Sequence, residues 1–190
     1  MDINKVTTAM IDYYQGQPKR IQHFLKVHAY AKLIDKNYEQ DITGDLFNFI
    51  KNIEGLDKEI LDILEVAALT HDIGIKISEE KYNSSAGKYQ EVEGPAVAQQ
   101  MLEDLQYDKA KTDRVCYLIG HHHTYDQIDG IDYQILVEAD FLVNLAEEQS
   151  SRETIESVKG KIFKTKTGIW LINKIFWKKS LPRVEEYDKV

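Results

Sequence analysis

Cysteine is almost absent from this chain of 190 residues, since Cys116 is the only one. A single thiol excludes an internal disulfide and any cluster of cysteines around a metal. No apolar stretch reaches the roughly 18 residues that a bilayer-spanning helix requires. The N-terminal residues lack the basic-then-apolar layout of a signal peptide. We therefore expect a cytoplasmic protein that does not enter a membrane.

Proline and strand patterns are also scarce. The chain has three prolines, no internal repeat, and no linker rich in proline, glycine or serine. Its length suits one domain with a sizeable core. Alternating apolar and polar residues are nearly missing, whereas helical spacing dominates. The sequence predicts an all-α, single-domain helical bundle over residues 1–190.

The spacing of apolar residues also predicts where the helices lie. Pro18 suits the first turn of a helix that ends near Lys36. A second helix has Asp57 as its N-cap and is stopped by Gly74. A third begins at, or is kinked by, the segment 93–95. Further helices are expected at Lys109–Gly120, Asp132–Glu147, Arg152–Lys159 and Gly168–Lys178.

The charge is acidic overall but unevenly distributed. The net charge of −8 argues against general nucleic-acid binding. Between Ser157 and Val184, however, there are seven lysines, one arginine and no acidic residue. This pattern predicts a basic helical extension over about 152–190, which could attract a phosphate-bearing ligand. A solvated helix face is the alternative interpretation.

Ionisable side chains interrupt the apolar faces of three predicted helices. His71 and Asp72 follow the apolar run that ends in AALT, and Asp140 lies within ILVEADFLVNLA. His23 shares a helix face with apolar residues further along its own helix. A buried carboxylate needs a strong partner, either a metal ion or a basic side chain. Taken singly, each residue could equally be a core histidine or part of a buried ion pair.

As a set, these residues offer two imidazoles and two carboxylates. Nitrogen and oxygen donors of this kind suit Fe, Mn, Co, Ni, Zn or Mg, and imidazole favours the transition metals. The order of the motifs, RIQH at 20–23, ALTHDIG at 68–74 and EAD at 138–140, resembles the HD superfamily of metal-dependent phosphohydrolases. The resemblance covers about residues 20–144 and matches the signature H…HD…D.

The resemblance implies a bundle of the HD/phosphodiesterase type that holds one divalent metal ion. It assigns four metal ligands, His23, His71, Asp72 and Asp140. It also implies that metal-activated water attacks phosphorus, with Asp72 orienting the water. The implied substrate is a small phosphomonoester or phosphodiester, such as a nucleotide.

Some HD proteins hold a second metal through further histidines. Here His121-His122-His123 is similar to the family's HH segment, but Gln90 occupies the position of the remaining histidine. Glu91 or Glu93 could replace it as an oxygen ligand, or the site could hold one metal only. We expect one tightly held metal, with His121 and His122 as second-site ligands or proton donors. A solvated loop is the alternative for this triplet.

Substrate phosphate requires fixed positive charge near the metal. Arg20 lies three residues before His23, and Lys76 follows the HDIG turn by two residues. Arginine can clamp phosphate in a bidentate manner, whereas lysine acts as a point charge. We expect both to contact substrate, with Lys88, Arg114 and the segment 163–168 as further candidates. A surface ion pair is the alternative for each of these side chains.

Three functions are consistent with these residues. The first is a metal-dependent phosphohydrolase. The second is an HD-type oxygenase with two irons, against which the glutamine at position 90 counts. The third is a non-catalytic, metal-containing module that senses a ligand. Trp170, Phe176 and Trp177 would serve as core residues or as contacts in a homo-oligomer.

Overall fold

The computed structural model describes residues 2–36 and 57–177, and these residues are helical with no strand. This confirms the predicted all-α fold. None of the described helices has the length and apolar composition that a membrane crossing requires. The helices are α1 (Ile3–Tyr13), α2 (Pro18–Lys36), α3 (Lys58–Thr70), α4 (Ile75–Tyr82), α5 (Gly87–Asp104), α6 (Lys109–Ile119), α7 (Ile131–Glu147), α8 (Arg152–Ile162) and α9 (Lys166–Phe176).

Several predicted helix bounds agree with the structure. The helix from Pro18 to Lys36 is α2, and Asp57 caps α3 by accepting a hydrogen bond of 2.9 Å from the Glu59 amide. The predicted helices after residue 108 correspond to α6, α7, α8 and α9 within a few residues. The part of the basic extension from 178 to 190 lies outside the described residues. A single domain over the whole chain therefore stays a prediction.

One detail of the predicted helices was wrong. Helix α3 ends at Thr70, and Gly74 has φ −72°, so this glycine is not a left-handed helix stop. It instead joins a tight turn to α4, which begins at the next residue. Helix α5 begins at Gly87, so Pro95 lies inside it, which agrees with the second of the two predicted placements of the segment 93–95. Helices α1 and α4 were not predicted.

The core is built around α3 and α7. Every residue of α3 from Ile63 to Thr70 is buried, and so is nearly all of α7 between Ile135 and Leu145. Helices α2, α6 and α7 pack around α3, and α2 also packs along α7. A helix that is apolar on all sides must be covered on all sides. Polar residues at the end of α3 and in the middle of α7 are therefore held inside the bundle.

Two glycines bring α5 close to the turn after α3. A Cβ atom on Gly74 would lie 2.7 Å from the backbone oxygen of Gln90 and 2.7 Å from the nitrogen of Gly94. A Cβ atom on Gly94 would lie 2.7 Å from a methyl carbon of Ile119. Such distances are shorter than any ordinary contact, so a Cβ atom at Gly74 would force the backbone of α5 away, and one at Gly94 would displace Ile119. This approach places α5 beside the HDIG turn.

A buried carboxylate joins α9 to α7. Glu138 accepts hydrogen bonds from the amides of Lys164 (2.6 Å) and Thr165 (2.8 Å), and also from the Thr165 hydroxyl. Gln134 donates a further bond of 2.8 Å to it. The segment 163–168, a candidate for phosphate binding, therefore anchors α9 to α7 through the amides of Lys164 and Thr165. The carboxylate that they bind lies two residues before Asp140 in the sequence.

Candidate metal centre

Three helices bring the predicted metal ligands together inside the bundle. The Nε2 atoms of His23 on α2 and His71 at the end of α3 lie 3.2 Å apart. Asp140 on α7 places Oδ1 3.2 Å from the first nitrogen and 3.4 Å from the second. Oδ2 of Asp72 lies 3.7 Å from each nitrogen. We call His23, His71 and Asp140 the first ligand group.

These separations are suited to one divalent cation. With metal–ligand bonds of about 2.0–2.2 Å, adjacent donor atoms around a tetrahedral or octahedral ion lie about 3.0–3.5 Å apart. Asp140 Oδ1 is buried and has no hydrogen-bond partner among the described residues. An acceptor without a donor is costly in an interior, and a cation would remove that cost. The first ligand group therefore fits a metal ion both in distance and in chemistry.

The histidines are oriented by acceptors behind them. Nδ1 of His71 lies 3.1 Å from the Ala68 carbonyl, and Nδ1 of His122 lies 2.8 Å from the Ile119 carbonyl. Nδ1 of His23 lies 3.1 Å from Glu147 Oε2. A neutral imidazole that donates from Nδ1 directs its Nε2 lone pair to the opposite side. Metal-binding histidines usually have this arrangement, so each ring is positioned to ligate through Nε2.

Asp72 also belongs to a second ligand group, formed with His122 and His123. Its Oδ1 lies 3.2 Å from His122 Nε2, and the ligand atoms of all three residues lie within 4.8 Å of one another. His123 Nε2 is buried without a partner among the described residues. Because the two oxygens of Asp72 face different groups, this carboxylate is the one that two cations could share.

The structure brings His123 to this second group, whereas it does not bring His121. The Nδ1 atom of His121 lies 2.7 Å from the Tyr117 carbonyl, and the two rings stack with centroids 4.3 Å apart. His121 therefore continues the outer face of α6, and the chain turns inward only at the next residue. The three histidines are adjacent in sequence, so nothing in the sequence distinguished them.

Gln90 occupies the position of the missing second-site histidine, and Glu91 and Glu93 are its possible replacements. The three side chains lie in different surroundings. Gln90 is buried, and its Oε1 has no partner among the described residues. Glu91 accepts hydrogen bonds from the His123 amide (3.1 Å) and the Thr124 hydroxyl (3.2 Å), so it holds the histidine loop. Glu93 instead pairs with Lys81 at 2.6 Å on the surface, away from both ligand groups.

The loop that carries these histidines is fixed at its far end. The Tyr133 hydroxyl contacts the carbonyls of His121 and Thr124. Arg114 binds Asp129 and Asp132, each at 2.8 Å. The guanidinium of Arg114 is therefore engaged in joining α6 to the start of α7, and it is not free to bind phosphate.

Of the two cations predicted to bind substrate, Arg20 lies beside the first ligand group. It lines a cavity of 190 Å³ together with His23, Asp72 and Asn144. Nη2 of Arg20 pairs with Glu79 at 2.5 Å, whereas Nη1 is buried without a partner among the described residues.

The side chain of Lys76 points away from this cavity and toward α1. Its Nζ lies 3.4 Å from the Tyr13 carbonyl and 4.9 Å from the centroid of the Tyr13 ring, against α1. It does not line the cavity that Arg20 shares with Asp72. The side chain therefore stabilises the contact between α4 and α1, which leaves Arg20 as the predicted cation at this opening.

The electrostatics of the site favour positive charge at its centre. Burial opposes the charged form of His23, but the Asp140 and Asp72 carboxylates raise its pKa to about 9. Burial likewise opposes ionisation of Asp72, but His71 and His122 lower its pKa to about 2. A divalent cation bound here would displace protons from the imidazoles, so metal binding should release protons.

The bundle and its buried ligands define a helical protein with a candidate metal centre. The family model for the HD domain matches residues 20–158, well over half of the chain. The chain therefore belongs to the HD domain family, as the motifs predicted. Comparison with curated proteins and with solved structures found no match. HD domains bind divalent metals, and many of them are metal-dependent phosphohydrolases.

Glu147 should influence metal affinity without binding the metal. Its carboxylate accepts from His23 Nδ1, and removing such an outer partner typically weakens binding about 10- to 100-fold. We expect this loss in Glu147→Ala, measured by competition with a chelator. Glu148→Ala, at the exposed neighbouring position, should bind metal like the parent protein. Equal affinity in both variants would contradict the assignment.

Proposed function

We propose that this protein is a metal-dependent phosphohydrolase that cleaves a small phosphomonoester or phosphodiester with metal-activated water. The observation that carries the proposal is the cavity beside the first ligand group. Arg20, whose Nη1 atom has no hydrogen-bond partner among the described residues, lines that cavity together with His23 and Asp72. A phosphate ester needs both a cation for its oxygens and a metal-bound nucleophile, and this opening provides for both.

The residues have separate tasks in this reaction. His23, His71, Asp72 and Asp140 would hold the divalent ion, which supplies polarisation of a phosphoryl oxygen and a lowered pKa of water. Asp72 is ionised at neutral pH, and its Oδ1 lies 3.2 Å from His122 Nε2. This carboxylate–imidazole pair can take up the proton that the attacking water loses.

Arg20 is the residue that would bind and orient the phosphoryl group. Its guanidinium lies 5.6 Å from the Tyr14 ring centroid and is held by Glu79, so its position is set before substrate arrives. The Tyr14 hydroxyl contacts the Asp72 carbonyl at 3.0 Å, which ties this support to the ligand turn. Preorganised donors of this kind lose little entropy on binding.

The size of the cavity favours a small substrate. Its volume of 190 Å³ is below the roughly 300–1,000 Å³ of pockets that enclose drug-sized ligands. A phosphoryl group and a few adjoining atoms fit in such a space. A nucleotide could enter only with its phosphate end, and its base would remain outside.

The second ligand group supports an alternative function. Asp72 faces both groups, so two irons could bind side by side, as an HD-type oxygenase would require. Element analysis of freshly purified protein distinguishes these functions. Two tightly bound irons per chain would favour oxygenation, whereas one ion, or a mixture without iron, would favour hydrolysis.

The proposed reaction is tested by a panel of phosphorylated compounds assayed with added Mn, Co, Ni, Zn or Mg. We expect hydrolysis of at least one small phosphate ester, and loss of that activity after chelation. Absence of turnover across the panel with metal bound would contradict the proposal. It would then favour a metal-containing module that senses a ligand.

Arg20→Ala is expected to raise the KM for the phosphate ester about 10- to 100-fold while the metal content stays unchanged. The reason is the loss of a charge-assisted hydrogen bond to the substrate, because Arg20 is not itself a metal ligand. Steady-state kinetics and element analysis are measured on the same preparation. Lys109→Ala, which removes an exposed cation on α6, should change neither quantity. Loss of metal in Arg20→Ala would mean that the arginine supports the ligands instead.

A further inference from the structure

Helix α9 is apolar on two opposite faces, but the described residues cover only one of them. Leu171 and Ile172 are buried against α7 and its neighbours, whereas Ile169 and Trp170 are each 36% exposed. A helix with apolar residues all round is normally covered all round. The outward side of α9 therefore presents an unpartnered apolar strip within the described structure.

Lysines surround this strip. Lys164, Lys166 and Lys174 are exposed, and none of them forms an ion pair with a described residue. Lys174 lies over the Trp170 ring, with Nζ 5.9 Å from its centroid. We call the surface formed by Lys166, Ile169, Trp170 and Lys174 the α9 face. It is apolar at its centre and positively charged at its edge.

A groove of opposite charge lies between α1, α4 and α5. It has a volume of 770 Å³, and half-buried apolar side chains form its floor. These floor residues are Tyr13, Ile77, Val97, Met101 and Leu105. A neighbouring cavity of 370 Å³ extends it along α1, since the two share Ala9, Asp12 and Leu105. The two cavities are therefore continuous along α1.

Carboxylates form the edge of this groove. Asp12 and Asp104 are exposed and form no ion pair with a described residue, whereas the extension along α1 is bordered by both Asp2 and Lys5. Glu93 and Lys81 also line the groove but neutralise each other at 2.6 Å. The groove thus combines an apolar floor with unpaired negative charge.

We propose that the α9 face of one copy docks into this groove of a second copy, so that the protein associates head to tail. The apolar strip would cover the apolar floor, and Lys166 and Lys174 would meet Asp12 and Asp104. An amphipathic helix in an apolar groove is a common mode of recognition, with anchors one helical turn apart. Within the α9 face, Lys166, Trp170 and Lys174 follow one another at four-residue spacing, so they lie along one side of the helix.

A second copy is the partner that the charges favour. Helix α9 packs on α2, α7 and α8, whereas the groove belongs to α1, α4 and α5. Each copy therefore displays both complementary surfaces at the same time. A contact between two different surfaces is heterologous, and it produces a ring or an open chain rather than a symmetric dimer.

Sedimentation equilibrium over a range of protein concentrations tests the contact. We expect the average mass of the parent protein to rise above that of one chain, and to fall again at high salt. Trp170→Glu and Asp104→Lys should each weaken association at least about tenfold, because each alters a central or charged part of the contact. Lys109→Glu, a charge reversal on α6, should associate like the parent. Circular dichroism identifies any variant that has failed to fold.

Mixing the Trp170→Glu and Asp104→Lys variants tests the head-to-tail arrangement more directly. Trp170→Glu retains an intact groove and Asp104→Lys retains an intact α9 face, so together they contain one functional pair. An equal mixture should form a one-to-one complex that grows no further. A failure of the mixture to associate, while each variant alone stays monomeric, would overturn the head-to-tail arrangement. A parent protein that is monomeric at every concentration would also overturn it, and binding to anionic vesicles would then assign the α9 face to a membrane surface.

Discussion

Asp72→Ala is expected to abolish metal retention and phosphohydrolase activity together. Its Oδ2 lies 3.7 Å from the Nε2 atoms of His23 and His71, and its Oδ1 lies 3.2 Å from His122 Nε2. Each of the other ligands contributes to one group only, whereas this carboxylate faces both. We expect a rate reduction of at least about 10³-fold, comparable to losing both a ligand and a proton acceptor.

Element analysis and hydrolysis rates, measured on one preparation, check this prediction. The matched control is Asp113→Ala, which removes an exposed carboxylate that pairs with Lys109 on α6. That variant should retain the metal content and rate of the parent protein. An Asp72→Ala preparation with unchanged metal and unchanged rate would remove the basis for the proposed reaction.

The first ligand group could be anticipated because its residues interrupt apolar patterns. His23, His71 and Asp140 occupy positions where helical spacing predicts burial, and a buried ionisable group needs a partner. The structure places all three at the centre of the bundle, where the two Nε2 atoms and Asp140 Oδ1 lie within 3.4 Å of one another. Their common location depends on how α2, α3 and α7 pack. Spacing along one helix contains no information about that packing, which the family resemblance supplied instead.

The second ligand group was harder to anticipate, because it depends on the conformation of the turn that follows α6. After α6 the chain leaves helical geometry, so adjacent histidines no longer diverge by a known angle. His122 and His123 turn inward, and His121 stays against Tyr117. Lys76 shows the same difficulty, since its side chain could reach either the site or α1, and the position of α1 decided the outcome. Helix α1 itself had not been predicted.

The role of Gly74 illustrates a further limit of sequence patterns. A glycine after a predicted helix is usually read as the residue that stops the helix, and that interpretation was wrong here because α3 ends at Thr70. The residue is required for a different reason, the approach of the α5 backbone, which involves a segment about 20 residues further along the chain. Contacts of this range are not visible in local periodicity. They nevertheless determine where Gln90 and Glu91 lie relative to the site.

Gly74→Ala is accordingly expected to destabilise the protein strongly. Its Cβ atom would lie 2.7 Å from the backbone of Gln90 and 2.7 Å from that of Gly94. Backbone atoms cannot rotate away as a flexible side chain can, so α5 itself must move. Overpacking of this kind typically costs about 1–3 kcal/mol, and sometimes more. For a chain of this size, each kcal/mol lowers Tm by about 2–4 °C, so we expect a decrease of up to about 12 °C.

Thermal unfolding measures this loss, and a second glycine provides the control. Gly160 lies within α8, and a Cβ atom there would meet nothing within 4 Å. Gly160→Ala should therefore keep or raise the Tm, because alanine is the better helix former by about 1 kcal/mol. The displacement of α5 in Gly74→Ala should also disturb Glu91, which holds the His123 amide. If metal affinity and Tm are unchanged in that variant, then the glycine contact does not position α5 beside the ligand turn.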